Sequence, residues 1–82
     1  MTTINKQHGF YGALAAHYDS PDHRNAIWDV TVKRLGQIHP EKSADEILEF
    51  LNGRAGRHMA DEIFDGPGTL SYGVAMLRVA ML

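Results

Sequence analysis

Apolar residues recur along this chain in short runs at helical spacing, and turn-forming or capping residues separate the runs. Phe10, Leu14 and His17 or Tyr18 follow one another at one-turn intervals, and Ala13, Ala15 and Ala16 add intrinsic helix propensity, which predicts a first helix over about 10–18. Asp19-Ser20-Pro21-Asp22 then marks a boundary: Ser20 suits an N-cap, Pro21 the first helical position, and Asp22 the positive end of the helix dipole. The second helix is predicted to run to about Ile38, with Ile27, Val30, Val32, Leu35 and Ile38 as its apolar stripe and Trp28 at the edge. His39-Pro40 ends it, because the residue before proline is driven out of the helical region.

Ser43-Ala44-Asp45-Glu46 matches a capping box, in which Ser43 and Glu46 each satisfy the other's orphan N–H. The helix it opens carries Ile47, Leu48, Phe50 and Leu51, and Asn52-Gly53 is expected to stop it in the left-handed conformation. A fourth helix over about 54–64 places Ala55, Met59, Ala60, Ile63 and Phe64 on one face. Asp65-Gly66-Pro67-Gly68 breaks the chain, and Thr69 is expected to cap a last helix from Leu70 to about Met81. That helix bears two stripes, Leu70, Val74, Leu77 and Met81 on one side and Tyr72, Ala75 or Met76, Val79 and Leu82 on the other. It is therefore either central to the core or half buried and half given to a partner. A strand over Ser71 to Val79 is the alternative, but its alternation is poor and it has no second strand to pair with. The expected fold is all-α, a single domain of four to five short helices over residues 9–82 with the last helix packed centrally against helices two and four. A polar, aperiodic arm over residues 1–8 precedes it.

Composition changes this picture little. Eighty-two residues suffice for one domain, at a size where oligomerisation or a partner adds stability. A hydrophobic fraction of 44% and a charged fraction of 22% are those of a folding chain. The absence of cysteine removes disulfides, thiol catalysis and Cys-ligated zinc. A formal charge of −2 neither draws nor repels nucleic acid without a local patch. The first residues lack an apolar leader, and the run from Val74 to Leu82 is too short to span a bilayer, so the expectation is a cytoplasmic protein with no membrane association.

The candidate chemistry concentrates between Gly53 and Asp65. Arg54, Arg57 and His58 stand at the predicted start of the fourth helix, where free N–H groups and the dipole favour an anion, and so form a candidate binding edge. Against this stands an ordinary reading in which Arg57 pairs with Asp61 one turn on and the stretch is a solvated helix face. His58 and Glu62, one turn apart, supply at most two ligands for a metal, and no metal or cofactor is assigned. No phosphate-binding loop is present. His17, Asp19, Ser20, Asp22 and His23 contain the residue types of a hydrolytic triad, but such a triad must converge in a pocket, and Ser20 is better explained as a cap. Among the aromatic residues Phe10, Tyr11, Tyr18 and Trp28, the last and Tyr11 are candidates for a protein interface, the alternative being core. The acidic third helix, with Asp45, Glu46 and Glu49, makes a poor DNA recognition helix.

Gly9-Phe10-Tyr11-Gly12, Phe50-Leu51-Asn52 and Gly56-Arg57-His58-Met59-Ala60-Asp61 resemble elements of a group of short proteins from proteobacterial plasmids, integrative elements and phages. That group has a Gly-Phe-Trp/Tyr-Gly start and a Phe-Leu-Asp/Asn turn running into a Gly-Arg-His-Phe-Ala-Asp helix. The similarity covers most of residues 9–64, departs by Met59 in place of an aromatic, and does not extend past Pro67. It implies an accessory protein of a mobile element and no particular activity. The expected function is thus a non-enzymatic protein that acts by binding another macromolecule, with a protein as the expected partner, such as an inhibitor of a host defence complex in the manner of anti-CRISPR proteins. Two alternatives remain open: a nucleic-acid accessory protein using Arg24, Arg54 and Arg57, and a small metal protein or enzyme centred on His58, Asp61 and Glu62. Homodimerisation through the last helix is compatible with each.

Overall fold

The computed structural model of the chain describes residues 8–64 and 70–82. Over these residues the protein is all-α, with α1 at Gly9–His17, α2 at Pro21–Ile38, α3 at Ala44–Asn52, α4 at Arg54–Phe64 and α5 at Tyr72–Ala80. The arm, apart from His8, lies outside the described residues, as do the Asp65 to Gly68 breaker and Thr69.

The centre belongs to α1; the last helix packs against α2 and α4, as expected, but not at the centre. Phe10, Tyr11, Ala13 and Leu14 are all buried, and α1 meets α2, α3 and, most extensively, α4. The small Ala13 beside the large Phe10, Tyr11 and Leu14 lets it sit in the middle of the bundle. Phe10 bridges the layers, with its ring centroid 6.3 Å from Trp28 and 6.1 Å from Phe64, within the range of favourable aromatic pairing. Trp28, expected at the edge of the α2 stripe, is therefore inside, and Thr31 joins it by donating its hydroxyl to Ile27 O at 2.7 Å. Ile38 and Phe50, expected to face inward, are exposed instead.

Helix limits follow local chemistry with three corrections. Ser20 precedes α2 but makes no side-chain cap bond, so the start rests on Pro21 and Asp22. Gly53 is extended, with φ −100° and ψ −171°, rather than left-handed. The reason is that it serves two helices: its N–H donates to Phe50 O and its carbonyl accepts from Arg57 N–H, so α4 begins at once. The last helix starts at Tyr72 and is capped by Ser71, whose hydroxyl oxygen accepts from Val74 N–H at 3.4 Å.

The buried face of α4 is Gly56, Ala60, Ile63 and Phe64, while Ala55 points to solvent. Gly56 is chosen over Ala55 by a close approach. A Cβ placed on Gly56 would stand 2.7 Å from both the carbonyl carbon and the Cα of Leu51, and nearer still to its oxygen. Gly9 presses on the same elbow: its φ is +65°, and a Cβ placed on it would collide with Leu51 O and stand 2.7 Å from Asn52 C. Two glycines thus let α1 and α4 close on the backbone that ends α3.

The capping box of α3 is formed in full. Ser43 N–H donates to Glu46 Oε1 at 3.0 Å, and Ser43 Oγ accepts from Glu46 N–H at 3.2 Å. The Ser43 backbone and hydroxyl, with a smaller contribution from Lys42, hold the Glu46 carboxyl below its ordinary value of 4.5. A lowered folded-state value means that this stabilisation is complete above about pH 4.5 and fades as pH falls through the depressed value. Ser43→Ala, which removes the hydroxyl but keeps the backbone N–H, is expected to cost about 1 kcal/mol and to flatten the acid side of the stability curve only in part, as measured by urea denaturation at pH 7 and below pH 4.5.

Arginines hold the periphery. Arg24 donates to the carbonyls of Tyr18 and Asp19 at the end of α1. Arg34 Nε donates to Leu82 O at 2.7 Å, and Arg78 Nη1 to Ile63 O at 2.7 Å. Near the other end of α5 the Tyr72 ring stacks on His23, centroids 4.2 Å apart, so α2 and α5 run side by side in the same direction. The Tyr18 hydroxyl donates to Leu70 O at 2.9 Å, tying α1 to the segment before α5, and burial raises its pKa.

Candidate functional site

Two surfaces stand out. The first is the cleft at the start of α4, about 430 Å³ in volume and lined by His8, Gly9, Asn52, Gly53, Arg54 and Arg57. Its existence follows from the glycine elbow, which draws the start of α1 against the α3–α4 junction. Arg54 makes no ion pair among the described residues, whereas Arg57 Nε lies 3.5 Å from Asp61 Oδ1 with both side chains about half exposed. His58 turns away from the cleft lining and pairs with Glu62, Nε2 to Oε1 3.0 Å, in an even more exposed position. Pairs of this kind contribute about 0.3–0.5 kcal/mol on a helix surface. The sequence-predicted edge of Arg54, Arg57, His58 and Asp61 is thus a solvated helix face in which Arg57 and His58 are each engaged by an acid of their own helix.

Tyr11 and Trp28 lie elsewhere and inside, each 4% exposed. The Tyr11 hydroxyl donates to Asn25 Oδ1 at 2.9 Å, and its ring packs edge-on to Trp28 at 5.8 Å. Their contribution is to the core that supports the surfaces. Arg24 is occupied by the end of α1, which leaves Arg54 and Arg57 as the cations of a nucleic-acid reading. The triad residue types are dispersed into packing roles: the His17 ring lies 5.3 Å from Phe64, and His23 is stacked on Tyr72. Among the described residues, no three His, Asp or Glu side chains converge as a metal-ligand group.

The second surface is the outer side of α5. Ala75 and Val79 face the core, which leaves Val74, Leu77 and Met81 outside at 41%, 64% and 80% exposure. Gly73 and Ala80 are exposed beside them. The one charged residue of α5, Arg78, has a guanidinium group drawn to Ile63 O, so it is anchored to the body of the protein. The signal for this surface was the presence of apolar stripes on two sides of one helix. What the sequence did not show was which stripe turns outward, nor that arginines on α2 and α5 would fasten the helix through backbone carbonyls.

Fold and surfaces together define a small all-α protein, with five helices among the described residues and an apolar helix face open to solvent. No protein family, curated protein or solved structure matches the chain. No helix among the described residues is long and apolar enough to cross a membrane.

Proposed function

We propose that the protein is a non-enzymatic binding protein that acts by seating the outer face of α5 in an apolar groove of another protein. The observation that carries this reading is the exposed stripe of Val74, Leu77 and Met81, spaced i, i+3 and i+7, which is the anchor pattern of a helix laid in a groove. Three apolar side chains on one short helix would form a small part of a flat interface, in which a stable complex uses roughly 20–30 residues a side. A groove that wraps the helix makes better use of them than a second copy of the same convex face, so α5 is assigned to a partner rather than to a homodimer. The resemblance to mobile-element proteins supplies the setting, in which the partner belongs to the host and a defence complex is a natural target.

Retention of a stoichiometric host protein on immobilised wild-type protein, and its loss with Leu77→Asp/Met81→Asp, is the expected result. Both positions are exposed, so the thermal midpoint of the double variant should stay within a few degrees of wild type. Failure to retain any stoichiometric protein, or equal retention by the double variant, would remove the reading. Sedimentation at micromolar concentration should show a monomer, and a dimer abolished by the double variant would assign the stripe to a second copy instead.

A further inference from the structure

A second concavity, independent of α5, lies between the end of α2 and the outer side of α3. Its volume is about 480 Å³, within the range of small-molecule sites. Leu35 and Ile47, both buried, provide an apolar base, and the Phe50 ring, 40% exposed, borders it. This location explains why Phe50 is left uncovered while its neighbour Leu51 is fully inside.

The charges around this base are unequal in availability. Lys42 Nζ lies 3.8 Å from Glu46, whose carboxylate is also engaged by the capping box. His39 Nδ1 lies 3.5 Å from Glu41. Glu49 lines the cavity with neither an ion pair nor a hydrogen bond among the described residues. An incoming anion would therefore meet two carboxylates and a lysine already engaged, whereas an incoming cation would meet the unpaired Glu49 carboxylate in a cavity that the Phe50 ring also borders.

The geometry points to a binding site for a small amphiphilic amine, its alkyl or aryl stem on Leu35, Ile47 and Phe50 and its ammonium group between Glu49 and the Phe50 ring. Apolar contact supplies the attraction and Glu49 supplies the preference for positive charge. The site shares no residue with the α5 face, so it stands whether or not α5 binds a partner.

The test is a titration of the full chain, followed by ¹H–¹⁵N correlation spectra, with 2-phenylethylamine, 2-phenylethanol and 3-phenylpropionate. Saturable shifts should cluster on Leu35, His39, Ile47, Glu49 and Phe50, with the amine binding about fivefold or more tightly than the carboxylate. Glu49→Gln, a change at an exposed position, should bring the amine to the affinity of the alcohol, and Phe50→Leu should reduce amine binding while leaving a weak apolar response. Shifts that do not saturate, shifts spread away from this concavity, a carboxylate bound as tightly as the amine, or an undiminished amine preference in Glu49→Gln would each overturn the assignment.

Discussion

Replacing Gly56 with alanine is expected to destabilise the protein by about 3 kcal/mol and to lower its thermal midpoint by roughly 10–20 °C. Alanine is the better helix former by about 1 kcal/mol, so propensity alone predicts the opposite sign. Sterics decide, because the added Cβ would fall on the backbone of Leu51, and backbone at a helix elbow cannot turn aside as a side-chain tip can. Separation of α3 from α4 would also widen the cleft lined by Arg54 and Arg57 and loosen the seat of Gly9. Gly73→Ala is the internal control. Nothing stands within 4 Å of a Cβ there, so the same substitution in α5 should stabilise by about 0.5–1 kcal/mol. Thermal and urea denaturation of both variants, followed by circular dichroism, tests the pair. Equal effects at the two glycines would mean that the elbow is not closely packed.

Phe10→Ala is expected to cost about 3–5 kcal/mol. Phe10 is fully buried and touches aromatic partners on two helices, Trp28 of α2 and Phe64 of α4, so its removal leaves a void that no one neighbour can fill. A domain of this length has a total stability of about 4–12 kcal/mol, so the substitution removes between roughly a quarter of it and all of it. Trp28 is a direct reporter, because its ring packs against both Phe10 and Tyr11. Its emission should move to longer wavelength in Phe10→Ala and less so in Phe10→Leu, which keeps part of the apolar volume. Native emission with an unchanged urea midpoint in Phe10→Ala would show that the aromatic cluster does not hold α1 in place.

These two positions also show how legible the molecule was in its sequence. Phe10 belonged to a visible helical pattern, and its burial needed only the 3.6-residue period. Gly56 did not stand out, since glycine in a helix reads as a defect until the backbone that crosses it is known. The outward stripe of α5 was visible as apolar residues on two sides of one helix, and its exposure was not. The α2–α3 concavity had no sequence signal at all, because Leu35, Ile47 and Phe50 read as three core residues. The basic edge at Arg54, Arg57 and His58 was legible as residue types, yet the i, i+4 pairing of Arg57 and His58 with acids of their own helix limits how much of its charge is available.

Helix order and limits follow from local chemistry: Pro21 at a helix start, the Ser43–Glu46 box, and Pro40 after the end of α2 act within a few residues, and so can be read along the chain. Three-dimensional packing decided what depends on distant backbone: that α1 occupies the centre, that Gly9 and Gly56 meet at Leu51, that Arg34 and Arg78 fasten α5 through carbonyl groups, and that Val74, Leu77 and Met81 face water. The physical reason is the same in each case. A helical period identifies which residues share a face, but the neighbour that covers the face comes from a part of the chain that the period does not reach.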